Sequence, residues 1–254
     1  MHQTSADPRF LECCDRLGLL VIADMPAPYR FSPTALARTS AELTSLVQRD
    51  INHPSVIGWI TYNESWGVPH LVTSPAQRHA VAALYSLVKA LDPSRLALGN
   101  DGWEYIRGDF LGVHDYSQDG GTLRERYHSH EAVQATLRHL RPGGRALSLD
   151  GQSEIAAQLP VLLTEFGGLS AHTDPSAWKA YGDVLSPDQL IAGLRDLLSS
   201  MQPESGLAGY CYTQLTDTLQ EKNGLLTEDR EAKWPIEDIR RAVRGEHGHG
   251  QHGG

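Results

Sequence analysis

Two glutamates, Glu64 and Glu165, each end a short apolar run that is rich in β-branched residues. Residues 56–65 read VIGWITYNES, and residues 161–168 read VLLTEFGG. Each run predicts a buried strand with a carboxylate at its C-terminal end, where small and turn-forming residues follow. Glycoside hydrolysis requires a pair of carboxyl groups: one protonates the leaving oxygen, and the other attacks or assists at the anomeric carbon. Either glutamate alone would more commonly be a solvated loop charge, but the pair favours a glycosidase.

The spacing of the two glutamates suits a barrel of alternating strands and helices. Glu64 and Glu165 are 101 residues apart. One strand–helix unit of a barrel averages about 31 residues, so the gap fits three units. We expect the two carboxylates to face each other across the C-terminal mouth of the barrel, at the roughly 5 to 5.5 Å of a retaining pair.

The composition bounds the fold and excludes some partners. The 254 residues are 40% hydrophobic and 21% charged, which is enough for one large α/β domain. A net charge of −9 argues against a nucleic-acid surface, which would need a basic stripe. No apolar run approaches the length of a membrane span, and residues 1–8 lack the basic and apolar regions of a secretion signal. We therefore expect a cytoplasmic protein without a membrane partner.

The cysteines and histidines do not indicate a metal site or a disulfide framework. Cys13 and Cys14 are adjacent and Cys211 stands in an apolar run, so neither zinc spacing nor paired thiols are indicated. We expect all three to pack in the core. Residues 245–254 are rich in Gly and His, which predicts a disordered tail after a domain of residues 1–244. The sequence predicts neither a metal nor a cofactor.

Strand and helix patterns alternate along the chain and must position the two glutamates. Strands are predicted at residues 19–24, 56–62, 96–100, 111–116, 160–165 and 207–214. Helices are predicted at residues 8–17, 33–50, 75–91, 121–140, 187–201 and 236–244. The pattern of residues 141–158 defines no element. Strands that helices separate regularly indicate a parallel sheet.

Six strands are two fewer than a (β/α)8 barrel contains. The pattern therefore predicts either an incomplete TIM barrel, of which strands 3 to 8 are visible and the first two are missing, or a shorter open α/β sheet. In the first case the strands at residues 19–24 and 207–214 are unpaired sheet edges, and such edges favour self-association. A distorted carboxylate pair would then make this chain a poor catalyst, because catalysis is sensitive to misplacement by roughly 1 Å.

Four motifs follow one another along the chain: residues 7–26, residues 49–65, the run LLTEFG at residues 162–167, and residues 214–233. Together they resemble glycoside hydrolase family 2, the family of β-galactosidases, β-glucuronidases and β-mannosidases. Residues 7–26 resemble the third unit of its barrel, and residues 49–65 resemble its acid/base signature. The run LLTEFG at residues 162–167 resembles its nucleophile strand, and residues 214–233 resemble the segment after its eighth strand. The resemblance covers nearly the whole chain, and it implies a retaining glycosidase built on the C-terminal part of a TIM barrel.

The resemblance assigns roles to positions in this chain. Glu64 matches the family's acid/base and Glu165 matches its nucleophile. This implies double displacement on a carbohydrate substrate without a cofactor. Asn63, next to the acid, matches the residue that hydrogen-bonds the sugar 2-hydroxyl.

Further candidates come from their own chemistry. Tyr116 closes a predicted strand, where its phenol could orient the nucleophile, and a packing role is equally open. His114, Trp66 and Trp103 are candidate sugar-binding residues, because aromatic faces stack on sugar rings, although such residues at a rim also serve as packing. Residues 100–101 follow a strand and are expected to form a turn.

The expected substrate follows from a departure from the family pattern. Where β-glucuronidases carry an Asn-x-Lys element, this chain has Glu221, Lys222 and Asn223, which removes the charge expected for a carboxylated sugar. We therefore expect a neutral β-glycoside, with a β-galactoside first. Two alternatives stay open: a non-catalytic or truncated barrel remnant that binds carbohydrate, and another barrel glycosidase with two glutamates, such as a mannanase.

Overall fold

The computed structural model falls into two compact units. It describes residues 1–4, 6–149, 151–170, 181–182, 185–201 and 205–245. Unit 1 comprises Met1–Val113 and Gly143–Leu162, and unit 2 comprises His114–Pro142 and the described part of Leu163–Gly254. Apart from Gly245, the predicted tail lies outside the described residues. Among the described residues, none of the helices combines the length and the apolarity that crossing a bilayer requires.

Unit 1 contains a parallel three-stranded sheet whose strands are separated by helices. Its elements in chain order are α1 (Pro8–Leu17), β1 (Val21–Asp24), α2 (Pro33–Asp50), β2 (Val56–Ile60), α3 (Pro75–Leu91) and β3 (Leu96–Leu98). The strands lie in the order β1-β2-β3, and both pairs of neighbours are parallel. This arrangement confirms the parallel α/β pattern predicted for this part of the chain.

Each of these helices begins at a proline that follows a capping side chain. Asp7, Ser32 and Ser74 each accept a hydrogen bond from a backbone N–H in the first turn of α1, α2 and α3. Proline suits this position because its missing N–H has no intrahelical partner there. Gly18 ends α1 with a φ of 69°, a left-handed conformation that glycine adopts without strain. The predicted bounds of the three helices are confirmed.

The core of unit 1 is formed by apolar side chains of these helices and strands. Its fully buried members include Leu11, Val47, Leu71, Val81 and Val88. Burying an aliphatic side chain of this size contributes roughly 1.5–3 kcal/mol relative to leaving it exposed. This packing holds the carboxyl ends of the three strands in register.

The second half of the chain contains three more strands and five helices among the described residues. In chain order they are β4 (Leu111–Asp115), α4 (Gly120–Tyr127), α5 (His130–His139), α6 (Ser153–Ala156), β5 (Val161–Gly167), α7 (Pro187–Ser199), β6 (Gly209–Thr213) and α8 (Ile236–Val243). The strands form a second sheet in the order β4-β5-β6. The boundary between the units falls within β4 and within β5.

Two predictions for the middle of the chain need correction. The single helix predicted over residues 121–140 is in fact α4 and α5, because the Ser129 side chain accepts a hydrogen bond from Ala132 N and so caps a new helix. The connection over residues 141–158 contains the short helix α6 and belongs largely to unit 1.

The prediction that all three cysteines pack in the core is wrong for two of them. Cys14 is buried, but Cys13 and Cys211 are exposed. Successive residues of a helix point about 100° apart, so Cys13 and Cys14 of α1 cannot share the buried face. Cys211 lies in β6, where the other side chains are at most partly buried.

Candidate functional site

Polar side chains gather at the carboxyl ends of the three parallel strands of unit 1. Asp24 ends β1, Asn63 and Glu64 follow β2, and Asn100 and Asp101 follow β3. The pairing continues past the strands, since Asn63 and Asp101 form a parallel bridge and Glu64 N donates to the Asp101 carbonyl at 3.1 Å. In α/β folds this edge of the sheet is where ligands bind.

Asn63 and Asp24 are buried with polar atoms that make no hydrogen bond among the described residues. Asn63 is fully buried, and neither its Oδ1 nor its Nδ2 has a partner there. Asp24 is 4% exposed; its Oδ2 accepts from Gln3 N at 2.6 Å, while its Oδ1 has no such partner. Leaving a buried polar group unsatisfied costs about 1–3 kcal/mol. Such groups are typical of a site that binds a polar ligand.

Asp24 is not among the residues singled out from the sequence. Burial raises the pKa of its carboxyl to about 7, against the hydrogen bond from Gln3 and in the same direction as the charge of Asp101. The signal that marks Glu64, an acid at the end of a buried parallel strand, also applies to Asp24. Its position at the end of the apolar run of residues 19–24 could therefore have identified Asp24 from the sequence.

Glu64 has an unusual backbone conformation. Its φ is 51° and that of Ser65 is 58°, in the left-handed region that costs a non-glycine residue roughly 1–2 kcal/mol. Ser65 N donates to Asn100 Oδ1 at 3.0 Å, and Asn100 Nδ2 lies 3.2 Å from Ser65 Oγ. Asn100 therefore does more than form the turn expected for it, because its side chain holds the residue that follows Glu64.

The two candidate tryptophans differ in exposure. Trp66 follows Ser65 and is 59% exposed, whereas Trp103 is half-buried. The Arg145 guanidinium lies 5.9 Å from the centroid of the Trp103 ring, within range of a cation–π interaction. Stacking of either tryptophan on a sugar stays a prediction.

In unit 2, Glu165 of β5 is contacted by two of the predicted site residues. The Tyr116 hydroxyl donates to Glu165 Oε2 at 2.5 Å, and His114 Nδ1 lies 3.5 Å from the same oxygen. Burial raises the pKa of Tyr116 well above its ordinary value, and the negative charge of Glu165 acts in the same direction. The phenol therefore stays protonated at neutral pH and remains a donor to the carboxylate.

Tyr181 stacks on Tyr116, and Tyr212 lies against Gly167. Neither was among the candidate site residues from the sequence. The rings of Tyr116 and Tyr181 are stacked, with centroids 3.5 Å apart and planes 6° apart. A Cβ on Gly167 would lie 2.3 Å from the Tyr212 ring, and one on Gly168 would lie 2.5 Å from the Tyr181 ring. The glycine pair at positions 167 and 168, which follows Glu165 after Phe166, was the signal for such close approach.

The segment of residues 214–233 holds its lysines in ion pairs. Lys233 Nζ lies 2.5 Å from Asp217 Oδ1, and both side chains are largely buried. Lys222 Nζ lies 3.4 Å from Glu228 Oε2. Both lysines of this segment are therefore partnered by carboxylates of the protein.

Comparison with known proteins gives a family and a set of relatives. Residues 4–106 match the family described as glycosyl hydrolases family 2, TIM barrel domain. A β-glucuronidase of Rattus norvegicus is 36% identical over 90 residues, and so is one of Canis lupus familiaris. Each alignment covers 34% of this chain and 13% of the relative. The chain thus spans a small part of the length of the curated relatives it matches.

Solved structures extend the similarity to most of the chain. A β-galacturonidase of Eisenbergiella tayi superposes with a TM-score of 0.65 at 18% identity, over 92% of this chain and 42% of that one. A β-D-glucuronidase of Dictyoglomus thermophilum gives 0.67 at 15% identity, over 96% and 43%. At such identities the likeness concerns the fold, an α/β TIM barrel of which this chain contains a part. The matched segment and the shared fold together make this chain similar to part of the TIM barrel domain of glycoside hydrolase family 2.

Proposed function

We propose that this protein is a retaining β-glycosidase in which Glu165 is the nucleophile and Glu64 is the acid/base. The observation that carries the proposal is the setting of Glu165. Its carboxylate accepts a hydrogen bond from Tyr116 at 2.5 Å and lies 3.5 Å from His114. A donor such as the Tyr116 hydroxyl favours the ionised form of a carboxyl group, which is the form that attacks an anomeric carbon.

The reaction proceeds in two displacements. In the first, the Glu165 carboxylate attacks the anomeric carbon while Glu64 gives its proton to the leaving oxygen, so that the glycosidic bond breaks and a glycosyl ester forms. In the second, Glu64 takes a proton from water, and the water oxygen displaces Glu165 from the anomeric carbon. The buried Asn63 amide supports this scheme, because its two polar atoms make no hydrogen bond among the described residues and suit a sugar hydroxyl.

A neutral β-glycoside, with a β-galactoside first, is the proposed substrate. A carboxylated sugar calls for a cation that is available to it. In the segment of residues 214–233, Lys222 and Lys233 are both paired with carboxylates of the protein. Glu221, where β-glucuronidases carry an asparagine, adds negative charge to the same segment.

A β-uronide is the second candidate. The similar proteins favour it, because the curated relatives reported above are β-glucuronidases and one similar solved structure is a β-galacturonidase. Direct comparison of matched substrates separates the two candidates, because galactosides and galacturonides differ only at C6.

The experiment measures hydrolysis of aryl β-galactosides, β-mannosides, β-glucuronides and β-galacturonides, with the anomeric form of the first product followed by NMR. We expect retention, preference for a neutral sugar, and complete loss of turnover in Glu165→Gln. Glu64→Ala should slow poor leaving groups far more than activated ones, and azide should restore its turnover. Glu237→Gln, which removes an exposed carboxylate of α8 that pairs with Arg240, is the control.

Several outcomes would contradict the proposal. Inversion, or turnover that survives Glu165→Gln, would overturn the mechanism. Faster hydrolysis of uronides would replace the first substrate candidate with the second. Sugar binding without turnover in the unaltered protein would favour a carbohydrate-binding barrel remnant instead.

A further inference from the structure

Unit 1 contains a buried polar network beside Glu64 that the proposed reaction does not use directly. Ser65 Oγ donates to Glu104 Oε2 at 2.6 Å, and Arg145 Nη1 donates to the same oxygen at 3.1 Å. Asn100 joins the network through its contacts with Ser65 and donates from Nδ2 to the Trp103 carbonyl at 2.7 Å. Glu104 is only 4% exposed, and these partners satisfy its buried carboxyl group, which would otherwise be costly to bury.

The network joins segments that are far apart in sequence. Glu104 follows β3, while Arg145 comes from the connection between α5 and β5. The two segments run side by side, because Glu104 N donates to the Ala146 carbonyl at 2.8 Å and Tyr105 and Ser148 form a parallel bridge. Backbone pairing therefore places Arg145 against Glu104.

We infer that Glu104 and Arg145 position the acid/base Glu64 through Ser65, an inference that rests on the proposed function. Two consecutive non-glycine residues with positive φ, Glu64 and Ser65, persist only where the surrounding structure holds them. Ser65 is held at its N–H by Asn100 and at its hydroxyl by Glu104. A charged acceptor makes the second bond stronger than a neutral one would be.

Holding Ser65 fixes the peptide between it and Glu64, and hence the direction in which the Glu64 side chain leaves the backbone. Glu64 N is already tied to the Asp101 carbonyl at 3.1 Å, so the network restrains the residue from its C-terminal side. Proton donation needs this direction, whereas attack by the nucleophile does not. The network should therefore matter most for substrates whose leaving group must be protonated.

The test compares Glu104→Gln and Ser65→Ala with the unaltered protein on aryl glycosides that span good and poor leaving groups. We expect kcat/KM to fall by about tenfold or more for poor leaving groups, and to change by less than about threefold for dinitrophenyl glycosides. KM should change little. Glu104→Gln weakens the bond from Ser65 by removing the charge of its acceptor, and Ser65→Ala removes the bond. Because both substitutions act on the same hydrogen bond, the double variant should lose no more than the larger of the two single effects.

Asp92→Asn is the matched control. Asp92 is a buried carboxylate of unit 1 that pairs with Arg95 at 2.9 Å and accepts from Trp59 Nε1 at 3.0 Å. It precedes β3, at the opposite end of the strand from Glu104. We expect Asp92→Asn to lower the thermal midpoint without changing the leaving-group dependence. Partial recovery in Arg145→Lys relative to Arg145→Met would further support the inference.

The possible failures are distinguishable. If the unaltered protein is active and Glu165→Gln is not, an unchanged leaving-group dependence in Glu104→Gln overturns this inference alone. A uniform loss for all leaving groups, or additive effects of Ser65→Ala and Glu104→Gln, does the same. No turnover in the unaltered protein overturns the proposed function and, with it, the positioning role.

Discussion

At the scale of single residues, the phenol of Tyr116 is the closest hydrogen-bond donor described for Glu165, at 2.5 Å. Tyr116→Phe removes this donor and keeps the ring. A hydrogen bond to a charged group contributes about 1.5–3 kcal/mol, so we expect kcat to fall about 10- to 100-fold. Steady-state kinetics on an activated aryl glycoside measures the loss.

Tyr127→Phe is the control for this substitution. The Tyr127 hydroxyl donates to the buried carboxylate of Asp115 at 2.8 Å, so the variant removes a bond of the same kind away from Glu165. We expect it to lower the thermal midpoint and to leave kcat within a few-fold. Equal losses of kcat in the two variants would contradict a specific role for Tyr116.

Because the pKa of the Asp24 carboxyl is raised, we expect the stability of the protein to depend on pH. Its pKa is raised from 3.8 to about 7 by burial, with the charge of Asp101 acting in the same direction and those of His2 and the amino terminus against it. Between about pH 4 and pH 7 the folded state therefore holds a proton that the unfolded state has lost. Stability is greatest below this range, falls as the pH rises through it, and stays lower above pH 7.

Asp24→Asn should remove this loss because the amide does not ionise. The gain relative to the unaltered protein should be near zero at pH 4 and reach at most about 4 kcal/mol at pH 8. Thermal melts of both proteins across this range provide the difference, in which the titration of other groups largely cancels. If the thermal midpoints of the two proteins differ by the same amount at every pH, the pKa of Asp24 is not raised.

At the scale of elements, the turn after β5 requires glycine at position 168 for two reasons: its φ is positive, and two tyrosine rings leave no room for a side chain. Gly168 has a φ of 66° and Gly18 has a φ of 69°. A Cβ at Gly168 would lie 2.5 Å from the Tyr181 ring and 3.0 Å from the Tyr116 ring, whereas one at Gly18 would meet nothing within 4 Å. The two positions therefore share the backbone strain and differ in the steric overlap.

Alanine at each position separates the two effects. Gly18→Ala should cost about 1 kcal/mol of unfolding free energy from backbone strain alone. Gly168→Ala should cost more and should also lower kcat, because the added methyl group displaces Tyr116. Denaturant unfolding and kinetics on both variants check this. If both variants lose the same stability and Gly168→Ala keeps its kcat, the Tyr116 and Tyr181 rings move aside without any effect on stability or catalysis, which would contradict the prediction.

At the scale of the whole molecule, exposed apolar side chains favour self-association, which the sequence also predicts. Leu17 and Leu20, next to β1, are each 74% exposed, and β1 lies at one end of its sheet in the described part of the chain. The outer edge of β1 is partly covered, because Thr4 and Asp24 form an antiparallel bridge there. The expectation of association therefore rests on the exposed leucines, since apolar patches promote it. We expect sedimentation to depend on concentration, and the double variant Leu17→Lys/Leu20→Lys to reduce this dependence.

Leu219→Lys is the control for association. Leu219 is 70% exposed and lies outside the helices and strands, so its substitution adds the same charge per leucine replaced, at a position of similar exposure. It should leave the sedimentation behaviour unchanged. A protein that is monomeric at all concentrations would contradict the prediction.

Much of the fold follows from local signals along the chain. Ser32 and Ser74, each followed by proline, mark where α2 and α3 begin because capping acts within one turn. Ser129 also caps a helix, but the helical periodicity of residues 121–140 runs through this position, so the sequence predicts one helix where the structure has α4 and α5. Glu64 and Glu165 were singled out because a glutamate at or near the end of an apolar run is visible without knowledge of any distant contact.

The sequence by itself therefore determined the parallel α/β pattern of unit 1, the family resemblance and the two candidate glutamates, since periodicity, caps and motifs are properties of neighbouring residues. Only the tertiary structure decided the surroundings of the glutamates. The contact of Tyr116 with Glu165 joins residues 49 apart in sequence, and that of Glu104 with Arg145 joins residues 41 apart. The raised pKa of Asp24 likewise arises from burial. Such contacts depend on how distant segments pack, which no local pattern encodes.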